Sequence, residues 1–581
     1  MRAFRSALRS KRMTMQKRST IAGAAVLTAL LVLGCSPAQY ARQADRAASG
    51  VIRSGTAAAL GEEQGLDINY DPLGAQGSND DSYLLVGQRR IPLTAKEPGV
   101  LTLQESLEIA FRNSLAFQSR REELFLAALA VANARRGWYW PELGGEVTGD
   151  TWREVQNKGG EANNGQASVG PTLTQRLRNG GVLGLAATLQ VASDMLGGEG
   201  TSFGSIIGGT FTQPLLRGAW RDLAFEEVYR VERNFLISVY DYDRFTQTFA
   251  MGIFSNYYQV LRRRDIVAND AANVERLRRT VALTAVQVEA GGRSRVELDQ
   301  AQQNLLDAEV RLEQSIQSYQ DDLDRFKITL GLPVQANIEL DGEELAALRQ
   351  AGPQPLPFDE ARAIEVAFST RPDVLVQGAR VRDAERNIDI AADAFLPRLD
   401  AQLGISAGNT GQDNFWDVRA DRHTRRAQVV LEYPLDQTDN RDAYRSAQIA
   451  FNRARRDYTQ FLDNVRLDVR QTYRVLQQTW RTYELQVRNV EIATRRTRLA
   501  NLQQAAGLLS ARDVLEAEEA LRNARNGLTG ALIDYTNTRM QFLARLGMIY
   551  VTDQGRVNER TEPYKFDRVV QRYAYLEAPA D

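Results

Sequence analysis

The sequence predicts an α+β fold that is mostly α, with two internal repeats that each join a long helical hairpin to membrane β-strands. Three observations predict it. The stretches between Pro214 and Pro333 and between Pro434 and Pro563 contain no proline. Beyond a glycine turn in each stretch, apolar residues recur at three- and four-residue steps, which is the spacing of a coiled-coil seam. A block of alternating apolar and small or polar residues precedes each stretch, as expected for strands.

The two hairpins are copies of one unit. Their seams have the same spacing without a gap over about forty residues, which is the signature of an internal repeat. The repeats are predicted at 101–332 and 356–548, with a proline-containing linker at 333–355 between them. The seams are Leu298, Ala301, Leu305, Ala308, Leu312, Tyr319 and Phe326 in the first copy, and Val514, Ala517, Leu521, Ala524, Leu528, Tyr535 and Phe542 in the second.

Each hairpin is predicted to be far longer than a compact domain needs. An arm of about 60–70 residues, at about 1.5 Å per residue, spans roughly 100 Å. The turns are predicted at 291–294 and 507–510, where glycine and serine interrupt the helical pattern. A rod of that length implies that two separated places are bridged.

Composition excludes several classes of protein. The chain has 581 residues, of which 72 are basic and 73 acidic. Residues 1–35 hold seven basic and no acidic residues, so the rest of the chain has a net charge of −8. A net acidic body argues against binding to nucleic acid, which requires Lys and Arg to neutralise phosphate. One Cys and one His exclude a cysteine-rich zinc site and most histidine-dependent catalysis. We expect no enzyme activity, no metal and no cofactor other than a covalent lipid.

The amino terminus predicts a lipoprotein signal peptide at 1–35. A basic stretch is followed by an apolar stretch at 21–33, which is shorter than the ~20 residues that span a bilayer. Val32-Leu33-Gly34-Cys35 resembles a bacterial lipobox, in which the cysteine is acylated, as with palmitate. The alternative is an incidental cysteine after an ordinary signal. Residues 36–100 are predicted to form an extended tether.

The first repeat opens with a predicted helix at 101–140 and continues into a strand block at 141–217. Dyad alternation with small residues is typical of the wall of a membrane β-barrel. A polar loop is expected at 156–166. Aromatic residues cluster where the strands end and predict a girdle at the membrane surface, with ordinary packing at a helix–strand junction as the alternative. These are Trp138, Tyr139, Trp140, Trp152 and Trp220.

The second repeat opens with a helix that Pro372 is expected to bend or split. Its strand block is predicted at 397–434, with a polar loop at 408–424 that contains His423. That histidine is interpreted as solvated surface rather than a ligand. The second block offers two strands where the first offers up to four, so four or six strands per chain remain open. Four to six strands are too few to close a barrel, so several chains must share one.

The order of these elements resembles the TolC-like outer-membrane efflux proteins. The resemblance covers residues 101–548. It rests on a LTLQESLEIA-type opening, Gln213-Pro214-Leu215-Leu216-Arg217-Gly218 before the first long helix, and the two turns with their G-x-x-S pattern. The second copy lacks the Arg-Gly ending at its strand-to-helix junction. The resemblance implies a homotrimer with a 12-stranded barrel in the outer membrane of a Gram-negative bacterium, continued by an α-helical barrel across the periplasm.

The same resemblance assigns roles to the hairpin tips. Gly291, Gly292, Ser294, Gly507 and Ser510 would meet a periplasmic adaptor protein and an inner-membrane transporter. Asp513-Val514-Leu515-Glu516-Ala517 is similar to the aperture motif of the family, so Asp513 and Glu516 would form acidic rings at the closed tip. A solvated helix face is the alternative. The first copy has Glu297 and Gln300 there, a weaker ring.

The function that follows is a trimeric channel subunit of a tripartite efflux or type I secretion system. The alternative is a periplasmic coiled-coil lipoprotein, structural or adaptor, without a pore. That alternative explains the rods and Cys35, but it does not explain two strand blocks at matching points. The sequence does not indicate the cargo, the pump, the adaptor, the true start codon or a role for 549–581.

Overall fold

The structure is a computed structural model of the chain. It describes residues 37–60, 65–66, 83–86, 89–92, 98–155, 161–194, 202–219, 221–355, 359–412, 423–506, 508–552 and 555–559. Cys35, Trp220, Gly507 and residues 560–581 lie outside this range.

Helices account for most of the described residues, in agreement with the predicted α+β, mostly α class. They are α1 (Pro37–Leu60), α2 (Leu103–Asn113), α3 (Leu115–Tyr139), α4 (Arg221–Glu289), α5 (Arg295–Leu330), α6 (Glu343–Ala351), α7 (Glu360–Thr370), α8 (Pro372–Asp393), α9 (Thr438–Ala505) and α10 (Ala511–Arg545). The strands are β1 (Tyr83–Val86), β2 (Arg89–Pro92), β3 (Gly99–Leu101), β4 (Glu142–Val155), β5 (Glu161–Arg176), β6 (Val182–Asp194), β7 (Ser202–Pro214), β8 (Ile338–Leu340), β9 (Arg398–Gln412), β10 (His423–Glu432), β11 (Ile549–Val551) and β12 (Val557–Glu559).

Both strand blocks join one antiparallel sheet of six strands, in the order β10-β9-β7-β6-β5-β4. The strand number that the sequence left open is therefore six within the described chain. The two repeats meet at β7 and β9, where Ile207 lies opposite Ala407. The ladder between β5 and β6 is interrupted at Gly170 and Pro171, and proline has no N–H to donate.

One face of the sheet is mostly apolar. One row runs through Leu143, Leu173, Leu185, Gly209 and Ile405 and ends at Arg425 of β10. The opposite face carries small and polar side chains, such as Thr148 and Ser168, whose hydroxyls lie 2.6 Å apart. Since successive side chains alternate between faces, this pattern gives the sheet one lipid-like and one polar surface.

The two hairpins are α4 with α5 and α9 with α10, and their arms are unequal. The first arms have 69 and 68 residues, as predicted, but the second arms have only 36 and 35. The prediction of 60–70 residues for every arm was wrong because Gly331 and Gly547, both with positive φ, end the returning helices. The strand-side halves of α4 and α9 pack instead against α3 and α8.

In each repeat a returning arm meets a short helix end to end. A Cβ at Gly331 would lie 2.4 Å from the Asn113 carbonyl oxygen, at the end of α2. At Gly547 it would lie 2.9 Å from the Thr370 carbonyl oxygen, at the end of α7. The α5–α2–α3 and α10–α7–α8 series therefore follow α4 and α9 along most of their length.

The seams are buried as predicted. Ala301, Ala308 and Phe326 in the first hairpin have exposed fractions of 0–2%, as do Val514 and Phe542 in the second. Matching aromatic pairs support each copy. The Tyr257 and Phe326 rings lie 6.2 Å apart, and the Tyr473 and Phe542 rings 6.0 Å apart.

Two predictions about the amino-terminal part of the described chain require correction. Residues 36–100 are not simply an extended tether, because α1 occupies 37–60 and buries Ala48, Ile52 and Ala59 on one face. Alanine is the best helix former, and this stretch is rich in it. The helix predicted at 101–140 is two helices, because Ser114 adopts an extended conformation between them. A capping box at Thr102 and Glu105 starts α2.

In the second repeat, Pro372 splits the first helix into α7 and α8, which is one of the two outcomes expected from the sequence.

Two predicted loops are shorter than expected. Residues 161–166 belong to β5, and their polar side chains did not prevent pairing with β4. Residues 408–412 extend β9. His423 is the first residue of β10, opposite Ala407, and not a loop residue, although its side chain is exposed. These segments are strands because they pair with a neighbouring strand, and composition alone does not predict such pairing.

Candidate functional site

The strand-to-helix junction of the first repeat is held by the second repeat. The Leu215 N–H donates to the Leu399 carbonyl at 2.7 Å, and the Gly218 N–H donates to Asp393 Oδ2 at 2.9 Å. Gly218 has φ +71°, a conformation that favours glycine. The distinctive Gln213–Gly218 segment is thus a turn that docks the first repeat onto the second. Its counterpart in the second copy leaves Leu435 95% exposed.

Aromatic side chains lie at the helix-side end of the sheet. The Trp138 ring lies 4.8 Å from the Phe225 ring, which is packing at a helix–strand junction. Tyr139 and Trp140 are 49% and 71% exposed. Trp152 lies near the other end of β4. The described aromatics therefore divide between internal packing and an exposed pair next to the first strand.

Helix α1 places the start of the described chain beside this exposed pair. Its first turns, with Tyr40 and Ala44, border a hollow whose other side includes Tyr139 and Trp140. The helix is packed closely against α4, since a Cβ at Gly55 would lie 2.2 Å from the Phe235 ring. Cys35 precedes α1 by one residue, Ser36, so the predicted lipidation point is close in sequence to the strand end of the molecule.

The hairpin tips lie at the opposite end of the long helices. Gly291 has φ +73°, and the Gly292 N–H donates to the Gln287 carbonyl at 2.9 Å, so the two glycines close the end of α4. Ser294 and Ser510 cap the returning helices by accepting from the N–H groups of Glu297 and Asp513. Four of the five predicted tip residues are described, and each of these lies at a hairpin turn.

The two acids predicted for the aperture lie on the exposed side of α10, one turn apart. Asp513 accepts from the Ser510 hydroxyl at 2.5 Å. Glu516 accepts from Arg496 of α9 at 3.0 Å, and both side chains are more than half exposed. Glu516 is therefore partly neutralised by its own hairpin, whereas no cation is shown on Asp513 among the described residues.

Sequence reasoning missed the arginines that join the hairpins. Arg293 donates to the Leu509 carbonyl at 2.6 Å and pairs with Glu297 at 2.9 Å, so it ties the first tip to the second. Arg276 of α4 pairs with Glu518 of α10 at 2.5 Å. The sequence places Arg293 and Leu509 at equivalent positions of the two repeats. That equivalence does not predict that the two residues are in contact.

A second charged pair continues this polar contact between α4 and α10. Asp270 and Arg522 lie 3.4 Å apart, with 7% and 11% of their side chains exposed. The Asn269 amide donates to the Asn526 side-chain oxygen at 2.7 Å. The contact between hairpins toward the tips thus combines these paired polar groups with Leu515 of α10, which packs in one cluster with Val274 and Leu277 of α4.

An arginine network lies at the split between α7 and α8. Arg371, 7% exposed, donates to both carboxylate oxygens of Asp373 at 2.7 and 3.0 Å and to Asp468 at 3.2 Å. Arg545 also pairs with Asp468. Burial by itself raises the pKa of Asp373. The hydrogen bonds and charge of Arg371, together with the charge of Arg244, lower the pKa by more, so it lies below the usual value.

Among the described residues, no helix is long and apolar enough to cross a bilayer. No group of three or more His, Cys, Asp or Glu side chains in the same residues could hold a metal ion.

Residues 363–547, which make up most of the second repeat, match the model of the outer membrane efflux protein family. Over these residues the chain is similar to this TolC-like family. The family is one of outer-membrane channels of Gram-negative bacteria and not of enzymes. No curated protein matches the sequence.

Solved outer-membrane channels share the fold of this TolC-like chain. The CmeC channel of Campylobacter jejuni superposes with a TM-score of 0.58 at 13% identity, covering 81% of this chain and 89% of that one. VceC of Vibrio cholerae gives 0.57 at 14% identity, covering 77% and 96%. The open state of the MtrE channel of Neisseria gonorrhoeae gives 0.55 at 13% identity, covering 82% and 97%. Identities this low establish the fold alone.

Proposed function

We propose that three copies of this TolC-like chain form a channel through the outer membrane and across the periplasm. The observation that carries the proposal is an open sheet with one mostly apolar face, joined directly to helices of 68 and 69 residues. An open strand edge is not tolerated in hydrocarbon, so the sheet requires neighbouring copies. The strands have 10–16 residues, which is enough to cross a bilayer when tilted.

The channel serves as the exit duct of a tripartite efflux or type I secretion system. The hairpin tips, about 100 Å from the sheet at ~1.5 Å per helical residue, reach a periplasmic adaptor and an inner-membrane transporter. Gly291, Gly292, Ser294, Gly507 and Ser510 form the contact surface in this proposal. The resemblance to the family supports this assignment, and the exposed Leu508 at the second tip, 78% accessible, offers apolar surface for such a contact.

Cys35 anchors the chain through a covalent lipid. The first turns of α1 lie beside the exposed Tyr139 and Trp140, where an aromatic girdle would meet the membrane surface. A lipid on Cys35, two residues before the start of α1, would therefore insert at the level of the strands. Mass spectrometry of the amino-terminal peptide tests this, since a free Cys35 thiol would contradict it.

Asp513 and Glu516 form acidic rings at the closed tip. Three copies of each acid around a narrow axis would concentrate a negative field and favour cations. Replacing them with Asn and Gln keeps their shape and removes the charge. We expect the D513N/E516Q double variant to conduct more at rest and to select less strongly for cations in planar lipid bilayers.

The matched control for this experiment is Glu484→Gln, an exposed acid in the middle of α9 and far from the tip. It should leave conductance and selectivity unchanged. The rival explanation is a solvated helix face, and it predicts that the double variant also behaves like the wild type. Because Glu516 already pairs with Arg496, most of the effect should come from Asp513→Asn alone.

A spacer lipoprotein without a pore remains the second candidate. It would explain the long hairpins, but it leaves the apolar face of six paired strands without a role. Conductance steps from the purified wild-type protein in planar bilayers distinguish the two, because a spacer would give none.

A further inference from the structure

The sheet of a single chain is wider than the resemblance implies and has two free edges. Among the described strands, β10 has one neighbour, β9, and β4 has one neighbour, β5. We propose that β10 of each chain pairs with β4 of the next, closing the trimer proposed above into a barrel of 18 strands, six from each chain. The resemblance alone implied four strands per chain. The additional hairpin is β5 with β6.

The side-chain pattern places this additional hairpin in the wall rather than in the bore. On β5, Val169 and Leu173 face the same side as Leu185 and Leu189 of β6. This side continues the apolar face of β7 and β9. Residues between them, such as Thr172 and Thr188, are polar or small. A segment plugging an aqueous bore would be polar on both faces, whereas a wall strand alternates between lipid and water.

The strand pairing also indicates that the additional hairpin belongs to the wall of the barrel. β5 matches β4 over fourteen consecutive residue pairs, from Glu142 with Thr174 to Val155 with Glu161. β6 matches β7 over eleven pairs, from Val182 with Thr212 to Ala192 with Ser202. Among the described strands, only β5 and β6 lie between β4 and β7. If β5 and β6 were outside the wall, β4 would lose its pairing with β5, and β7 would lose its pairing with β6.

The two free edges have compatible directions. All pairings in the sheet are antiparallel, so with six strands β4 and β10 run in opposite directions. A β10 edge therefore meets a β4 edge in antiparallel register, and the same contact repeated around a threefold axis closes the ring. Apolar side chains near these edges are the most exposed in the sheet. Leu143 and Val147 on β4 are 79% and 75% exposed, and Val429 and Leu431 on β10 are 67% and 66% exposed.

The dimensions of the wall and the tunnel agree. Eighteen strands about 4.8 Å apart and tilted by about 40° give a circumference of roughly 110 Å and a diameter of roughly 36 Å. Four long helical series from each of three chains, spaced about 8–10 Å apart, form a ring of roughly 100–120 Å. Twelve strands would give only about 75 Å with the same spacing and tilt. The barrel is therefore as wide as the tunnel, and the exit through the membrane is not its narrow section.

Disulfide scanning tests the edge pairing on the full-length protein. The chain has one cysteine, Cys35, whose thiol would carry the proposed lipid, so added cysteines report cleanly. Cysteines replace Leu143, Gly145 or Val147 on β4 in combination with Ala427 or Val429 on β10, all on the apolar face. We expect at least one combination to give a reductant-sensitive covalent trimer on a denaturing gel, with no such band from either single variant.

The matched control pairs β4 with β7 inside one chain, as Val147→Cys with Ser205→Cys. These residues lie in one row across β5 and β6, three strand spacings or about 14 Å apart, which is too far for a disulfide. An intrachain Val147–Ser205 disulfide, seen as a protease-resistant link between peptides, would mean that β5 and β6 lie outside the wall and would overturn the inference.

Counting strands by cryo-electron microscopy in lipid nanodiscs separates this inference from the function on which it rests. A threefold wall of 18 strands supports both. A threefold hollow particle with 12 wall strands overturns the inference and leaves the channel intact. A particle without a hollow axis overturns the channel and the inference together.

Discussion

At the scale of single residues, the arginine network around Arg371 explains why a Arg-Pro-Asp sequence follows α7. Pro372 supplies a helix start that needs no N–H donor, and Arg371 turns back to hold Asp373 and Asp468. The network ties α7 and α8 to α9, and Arg545 at the end of α10 joins it through Asp468. Its position, where the returning arm meets the short helix, makes it a joint of the second repeat.

Stability should therefore depend on pH through Asp373. Its pKa is lowered in the folded chain, so its contribution is present above the ordinary value of about 3.9 and is lost as pH falls through the lowered pKa. Asp373→Asn should destabilise the protein near neutral pH by about 1 kcal/mol, a figure discounted because the side chain is 36% exposed. Its stability should also change less between neutral pH and pH 3 (on the order of one unit below the ordinary pKa).

Circular dichroism melts of wild type and variant at pH 3 to 7 measure this pH dependence. The range runs from about one unit below the ordinary pKa to about three units above it. The control is Glu365→Gln, which removes an exposed pair with Arg362 and should shift stability little. Equal pH profiles for wild type and Asp373→Asn would contradict the assigned role of the carboxylate.

At the scale of the elements, glycines with positive φ set the lengths of the returning helices. Gly331 and Gly547 end α5 and α10 and leave room for the ends of α2 and α7. Shorter returning arms let α3 and α8 complete the strand-side halves of the helical series. Sequence periodicity alone predicted longer arms, because the apolar pattern continues into the neighbouring helices.

Gly331→Ala and Gly547→Ala should both destabilise the protein. Each forces an L side chain into the left-handed region, which costs about 1–2 kcal/mol, and adds a Cβ within 2.4 or 2.9 Å of a carbonyl oxygen. The matched control is Gly378→Ala in the middle of α8, which has open space around it and should stabilise by about 0.5–1 kcal/mol. The midpoint of thermal unfolding is measured for all three variants. An unchanged midpoint for both Gly331→Ala and Gly547→Ala would contradict the end-to-end contact between the helices.

At the scale of the whole molecule, periodicity and repetition predicted most of the architecture. The seams, the first arms and the hairpin turns followed from the spacing of residues such as Ala301 and Ala517, whereas the alternation in the strand blocks left four or six strands open. The residues that join unlike parts did not follow. Arg293 with Leu509 and Asp270 with Arg522 are contacts between different hairpins, and a pattern along one chain segment carries no record of its partner. The β5 strand was missed at 161–166 because its neighbour, not its composition, makes it a strand.

The central claim is that three such chains enclose one continuous duct. The long helices contribute about 100 Å and the tilted strands roughly 35 Å more, so the particle should be about 140 Å long. Negative-stain electron microscopy of the detergent-extracted protein tests this most directly. The account predicts threefold hollow cylinders of that length, and thin rods without a hollow axis would contradict it and favour the spacer lipoprotein.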